Sequence, residues 1–352
     1  MNKALFRVVY SFMVLSMVLL GCSPKQETSV DDELTLIDQA GIEITIPQPV
    51  ERVISTYGPA TSFIYAVGGG DRLVSASYLG ARDPFGAMMM EKIDPNFVEI
   101  QGDDFFSQED FNLEHAASLN PDLIIASSRS VWLESAAQLE IPIFQVYAET
   151  EETVKEAMLL TGEIFGSDAA DQAASWVEYY DEIVTAVQEA TNRISLDQRV
   201  RVLFTGTQPL RVASGDMYQT SIIEAAGGIS VSEELSGYWN DINLEQVAIW
   251  DPDVIIVPPY GGASVEAITE SPEWQIIKAV QEGHVYRMPK LVVPWDTPAP
   301  DSVLGIVWLA QLLYPELVDL ECKEEAAYFY NTFYEYQLTD EELTTICQFN
   351  VE

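Results

Sequence analysis

Two ungapped stretches of this chain repeat one another. Asn112-Leu113-Glu114-His115-Ala116-Ala117-Ser118-Leu119-Asn120-Pro121-Asp122-Leu123-Ile124-Ile125 aligns with Asn243-Leu244-Glu245-Gln246-Val247-Ala248-Ile249-Trp250-Asp251-Pro252-Asp253-Val254-Ile255-Ile256. Each copy reads as a short helix, a Pro-Asp turn and a buried parallel strand. Two unrelated helix–turn–strand units would account for the Pro-Asp and the apolar run, but not for the shared Asn-Leu-Glu. The chain is therefore read as two homologous α/β lobes, with Glu114 and Glu245 displayed equivalently.

The rest of the chain fits that frame. Leu34 to Ile46 holds two alternating runs around Gln39-Ala40-Gly41, a hairpin signature. Strands are expected at Arg52–Ser55, Leu73–Ala76, Leu123–Ala126 and Ile143–Val146, with helical patterns between them. They recur at Val200–Thr205 and Val254–Val257. Strands alternating with helices imply mainly parallel sheets flanked by helices. Between the two sets, Ala173, Trp176, Val177, Tyr180, Ile183, Val184 and Val187 keep helical spacing with no Gly or Pro. This predicts one long helix over 168–195, either a strut joining the lobes or a surface helix packed on one of them. Ser271-Pro272-Glu273-Trp274 predicts a further helix start, and Ser302–Leu313 a final apolar helix. The organisation is an N-terminal lobe over 34–167, the bridging helix, and a C-terminal lobe with a helical end over 196–352.

Lys3 and Arg7 precede an apolar stretch from Val8 to Leu20, too short for a good membrane span but suited to a signal-peptide core. It ends in Leu19-Leu20-Gly21-Cys22-Ser23, which looks like a bacterial lipobox. Residues 1–21 are expected to be removed, Cys22 to carry lipid, and 22–33 to serve as a polar tether. The product is exported and lipid-anchored, on the outer face of the cytoplasmic membrane or in the periplasm. Hydrophobic residues at 48% exclude a disordered chain. With 17 basic against 56 acidic residues, the net charge of −39 repels phosphate and excludes nucleic acid as a partner. Only 3 Cys and 2 His exclude zinc-finger arrays and cysteine-ligated clusters. Export permits a disulfide between Cys322 and Cys347; two separate buried thiols are the other reading.

Lipobox, opening hairpin, paired Asn-Leu-Glu…Pro-Asp units and long central helix together resemble the substrate-binding proteins of ABC importers for iron–siderophores, haem and cobalamin. The resemblance covers essentially the whole mature chain. It implies two lobes bridged by a single helix, with solute held in the cleft between them and no cofactor of the protein's own. It further implies a monomer that docks on an ABC permease and its ATPase through Glu114 and Glu245. The residues alone leave both glutamates open to a plainer role, as capping or solvated helix carboxylates. Pro294-Trp295-Asp296-Thr297-Pro298-Ala299-Pro300, followed by Leu304-Gly305-Ile306-Val307-Trp308, is similar to a branch that includes molybdate/tungstate and iron-complex binders. The solute so implied is a metal complex or oxyanion: a ferric siderophore, haem, corrinoid, molybdate or tungstate.

In parallel α/β lobes ligands sit at the carboxyl ends of strands. The loops there carry Tyr57, Tyr78, Arg82, Arg129, Tyr218, Trp239, Tyr260 and Trp295. Aromatics offer apolar walls with polar tips, and the two arginines offer anion contacts; lobe packing and surface ion pairs are the competing roles. Met88-Met89-Met90 reads as an apolar cleft edge. His115 and His284 lack metal-ligand partners at useful spacing, and no metal site is assigned. No Gly-x-Ser-x-Gly elbow or Cys–His pair appears, which argues against an enzyme. A surface sensor or adhesion lipoprotein reusing the fold is the alternative function.

Overall fold

The two repeats fold alike. The computed structural model describes residues 33–77, 84–102, 104–262 and 264–349. The leader, Cys22, most of the tether, Tyr78 and Arg82 lie outside them. In the first repeat Asn112 caps the helix Leu113–Ser118 by accepting from His115 N at 2.9 Å; in the second Asn243 caps the helix Leu244–Trp250 by accepting from Gln246 N at 2.9 Å. The residue before each Pro-Asp, Asn120 or Asp251, takes left-handed φ (47° and 45°), a region that Asn and Asp tolerate better than most side chains. The Asp after each proline then accepts backbone N–H bonds at the entry of the neighbouring strand. Asp122 takes Arg52 N at 2.9 Å, and Asp253 takes Arg201 N at 3.0 Å. Most of the shared motif is thus a structural clip.

The N-terminal lobe opens with an antiparallel hairpin of β1 (Glu33–Ile37) and β2 (Glu43–Pro47). Then come β3 (Val53–Ser55), α1 (Gly58–Ala66), β4 (Leu73–Ala76), α2 (Pro84–Ile93), α3 (Phe97–Ile100), α4 (Leu113–Ser118), β5 (Leu123–Ser127), α5 (Leu133–Ala136), β6 (Ile143–Val146) and α6 (Glu151–Phe165). The sheet is parallel, in the order β4-β3-β5-β6.

After α7 (Ser167–Thr191) the C-terminal lobe follows with β7 (Arg201–Phe204), β8 (Arg211–Ala213), α8 (Tyr218–Ala225), β9 (Ile229–Ser230), β10 (Trp239–Asp241), α9 (Leu244–Trp250), β11 (Val254–Val257), α10 (Val265–Thr269), α11 (Lys278–Gln281), β12 (Val285–Arg287) and α12 (Ser302–Leu313). Its parallel sheet runs β9-β7-β11-β12, so each lobe threads its strands in the same spatial order. The chain ends with α13 (Cys322–Phe333) and α14 (Asp340–Cys347).

Helix α7 reaches both lobes. Its first half runs antiparallel to α6, with the chain reversing at Gly166 (φ 103°). Gly162 lies where the two helices touch; a Cβ there would stand 2.6 Å from Ala173 Cβ. Lys155 pairs with Asp181 at 2.8 Å farther along. Its second half enters the C-terminal lobe, where Tyr180 Oη lies 3.2 Å from Tyr218 Oη and Thr191 packs on Gly227. The helix stops at Thr191, short of residue 195, because Ile194 N turns back to Thr191 O.

Three expectations change. Ser271 starts no α-helix: only a 3-10 turn at Trp274–Ile276 follows, and Ser264 caps the preceding α10 instead. The methionine run lies on α2, whose periodicity buries Met89 and Met90 in the core and leaves Met88 out. The C-terminal helices also span the lobe junction, which composition gave no reason to expect. Gln172 on α7 donates to Thr332 O, Tyr179 donates to Glu325, and Lys92 on α2 pairs with Glu342 on α14. Cys322 and Cys347 form a disulfide between the first residue of α13 and the last of α14. One hydrophobic cluster runs from Leu36 through Trp176 to Ile346.

Candidate functional site

The carboxyl ends of the two sheets face a cavity of about 500 Å³. The N-terminal lobe supplies Tyr57, Pro59, Gln108, Arg129 and Glu149; the C-terminal lobe supplies Met217, Gln219, Tyr238, Trp239, Tyr260, Pro294, Thr297 and Pro298. Tyr57, Arg129, Glu149 and Tyr260 sit just beyond parallel strands, the place where a parallel sheet leaves a crevice, whereas Trp239 opens β10 and Gln108 lies on the connection between α3 and α4. Tyr57 follows β3 and precedes α1, whose Pro59 suits a first turn.

Of the residues expected in the cleft, Tyr57, Arg129, Trp239 and Tyr260 line this cavity. Tyr78 and Arg82 fall outside the described residues. Tyr218 and Trp295 correct the sequence reading: both are fully buried beneath the cavity wall. Tyr218 opens α8 and turns its phenol into the core, 2.7 Å from Ser302 Oγ and 3.2 Å from Tyr180 Oη, so it joins α7, α8 and α12. Burial pushes that phenol up to about 12. Trp295 lies under α12, where Gly305 makes room for its backbone; a Cβ on Gly305 would be 2.5 Å from Trp295 O. Its neighbours Pro294 and Thr297 reach the cavity in its place.

Arg129 is the one cationic side chain lining the cavity among the described residues. Its Nη1 lies 2.8 Å from Glu149 Oε1. Its guanidinium carbon stands 4.6 Å from the centre of the Tyr238 ring, a cation–π contact that crosses from one lobe to the other. Glu149 also crosses: its Oε2 accepts from Tyr218 N, at the start of α8, at 3.3 Å. Burial lifts the Glu149 carboxyl above its ordinary value, against the downward pull of Arg129. Burial works against the Arg129 charge, but Tyr57, Glu149 and Tyr238 outweigh it and raise its pKa. Glu149 is a site residue the sequence reading missed. It stands beside Glu151 and Glu152 in a chain crowded with acids, and nothing local distinguishes it.

On the opposite wall Tyr260 Oη donates to Asp296 Oδ2 at 2.5 Å, and Gln219 Nε2 donates to the same oxygen at 3.2 Å. Burial pushes the Asp296 carboxyl up to about 6 despite both donors. Asp296 Oδ1 and Gln219 Oε1 are buried and have no hydrogen-bond partner. Such groups call for a donor. Gln219, in the first turn of α8, and Asp296 fall in stretches the sequence placed at the cleft, although neither was singled out.

Among the described residues, no three His, Cys, Asp or Glu side chains gather as a metal-binding group, and no helix is long and apolar enough to cross a membrane. His115 is stacked on Phe105 at 3.8 Å, and His284 Nδ1 lies 3.2 Å from Asp253 O. Glu114 and Glu245 are both exposed, each in the first turn of its helix, where a carboxylate also favours the helix dipole.

A family model described as periplasmic binding protein matches residues 53–291. The molybdate-binding protein MolA of Haemophilus influenzae is 26% identical over 245 residues, covering 63% of this chain and 70% of that one. A vitamin B12-binding protein of Yersinia pestis is 29% identical over 255 residues, covering 71% of this chain and 79% of that one. A crystal structure of a periplasmic solute binding protein from Veillonella parvula superposes with a TM-score of 0.76 at 25% identity, over 89% of this chain and 96% of that one.

Proposed function

This chain belongs to the periplasmic binding protein family, and from that premise we propose that it captures a metal complex or metal oxyanion between its lobes and delivers it to an ABC importer permease. The observation that carries this reading is the cavity of about 500 Å³, walled by both lobes and rich in aromatic rings. That is the size and composition of a small-molecule site. In this reading capture proceeds without chemistry. The relatives named for molybdate and for vitamin B12 support a metal-containing solute.

Lipid on Cys22 would hold the protein at the membrane surface, with the tether giving it reach. Glu114 and Glu245 would meet cationic side chains on the permease by charge-assisted contacts. They suit the task because each stands exposed on an equivalent helix of its own lobe. An adhesin would need no such cavity, and neither a sensor nor an adhesin would need matched carboxylates.

Native mass spectrometry of protein purified from its own host tests the reading. A bound metal-containing solute is the expected result, followed by a thermal shift when that solute is added back. No bound solute, together with no shift from molybdate, tungstate, ferric chelates or corrinoids, would overturn it.

A further inference from the structure

We propose that Glu149 determines specificity by withholding Arg129 from anions, so that the cleft selects an uncharged or cationic solute bearing N–H or O–H donors over a bare oxyanion. The inference rests on the reading of this cavity as a solute site and names the class of solute it takes.

An oxyanion entering the cavity would seek two groups: the Arg129 guanidinium and the backbone N–H at the start of α8. Glu149 already holds both. One of its oxygens lies 2.8 Å from Arg129 Nη1 and the other accepts from Tyr218 N at 3.3 Å. The carboxylate is 5% exposed, so solvent does little to loosen its grip. It belongs to the N-terminal lobe, whereas the N–H it takes belongs to the other. The carboxylate is therefore an internal counter-anion seated where a ligand anion would go. Arg129 is further engaged by Tyr57 and by the face of Tyr238. On the far wall the unpaired polar atom of a lining residue is an acceptor, Gln219 Oε1, and the fully buried Asp296 carboxyl lies beside it. The first matches a donor on a solute, and the second opposes further negative charge.

The test is calorimetric titration of the full chain with molybdate and with sulfate. Wild type is compared with Glu149→Gln and with Glu149→Gln/Arg129→Ala. Release of Arg129 should tighten oxyanion binding in Glu149→Gln by roughly tenfold or more, and removal of Arg129 should abolish the gain. Wild type binding molybdate as tightly as Glu149→Gln would overturn the proposal, as would a gain that survives without Arg129. Glu149→Ala uncovers the same guanidinium and repeats the comparison should the glutamine variant fail to fold. The result is read from oxyanion affinity across variants. It therefore stands apart from native mass spectrometry of the wild-type protein, which tests solute binding itself.

Discussion

Lys92 Nζ on α2 lies 2.6 Å from Glu342 Oε1 on α14, an ion pair between residues 250 positions apart that ties the N-terminal lobe to the C-terminal helices. Burial pushes the Glu342 carboxyl up, and Lys92, Thr339 and Tyr336 more than reverse it, holding it at about 2. A carboxyl held below its unfolded value contributes stability that is complete above the unfolded value and fades as pH falls toward the folded one. Melting temperature should therefore drop between about pH 5 and about pH 2 in wild type, and less steeply in Lys92→Met. Equal slopes in a series of thermal melts would show that the pair contributes nothing.

Asp301 sits fully buried at the start of α12 and accepts from Tyr330 Oη at 2.5 Å and Tyr334 Oη at 2.6 Å. Asp301→Ala removes the carboxylate that accepts from Tyr330 on α13 and from Tyr334 just past its end. The expected loss is roughly 2–4 kcal/mol, at about 1.5–3 kcal/mol for each hydrogen bond to a charged group. Urea denaturation followed by tryptophan fluorescence would measure it; a midpoint within error of wild type would contradict the account.

The Cys322–Cys347 bond closes a loop with a sequence separation of 25. A loop of that length is worth roughly 3 kcal/mol by its restriction of the unfolded chain. Cys322→Ser/Cys347→Ser should unfold at correspondingly lower denaturant while the far-ultraviolet spectrum stays near native. An unchanged midpoint would mean that packing of Phe329, Phe333 and Ile346 holds the end of the chain unaided.

Glu114→Ala/Glu245→Ala should leave solute affinity unaltered, since neither residue lines the cavity, and should reduce uptake in cells carrying the permease by roughly tenfold or more, the scale for losing two charge-assisted contacts. Normal uptake by the double variant would leave the glutamates with their helix-dipole role alone.

The repeat made the architecture legible. Asn112 and Asn243, Pro121 and Pro252, Asp122 and Asp253 each have a fixed backbone task, so the sequence had little freedom to vary there. The cavity was legible in part. Arg129 stood out because cations are scarce, Tyr57 and Tyr260 because they follow strand ends, and Trp239 because its stretch reads as a cleft loop, although it opens β10. Tyr218 and Trp295 follow strand ends too, but the Tyr218 phenol turns inward onto Ser302, 84 residues later, and Trp295 is drawn under α12, where Gly305 admits its backbone. Glu149 was hidden for the opposite reason. In so acidic a chain its significance lies wholly in what stands across the cleft.

Tyr179 on α7 rests against Phe329 and Phe333 on α13 and donates to Glu325, 146 residues later in the chain. A ribosome or an export channel releases the strut long before it releases the helix that covers its aromatic side. Until the last residues emerge, that stripe of rings has nothing to lie on. Closure of the packing around α7 is therefore a late event in the chain's synthesis.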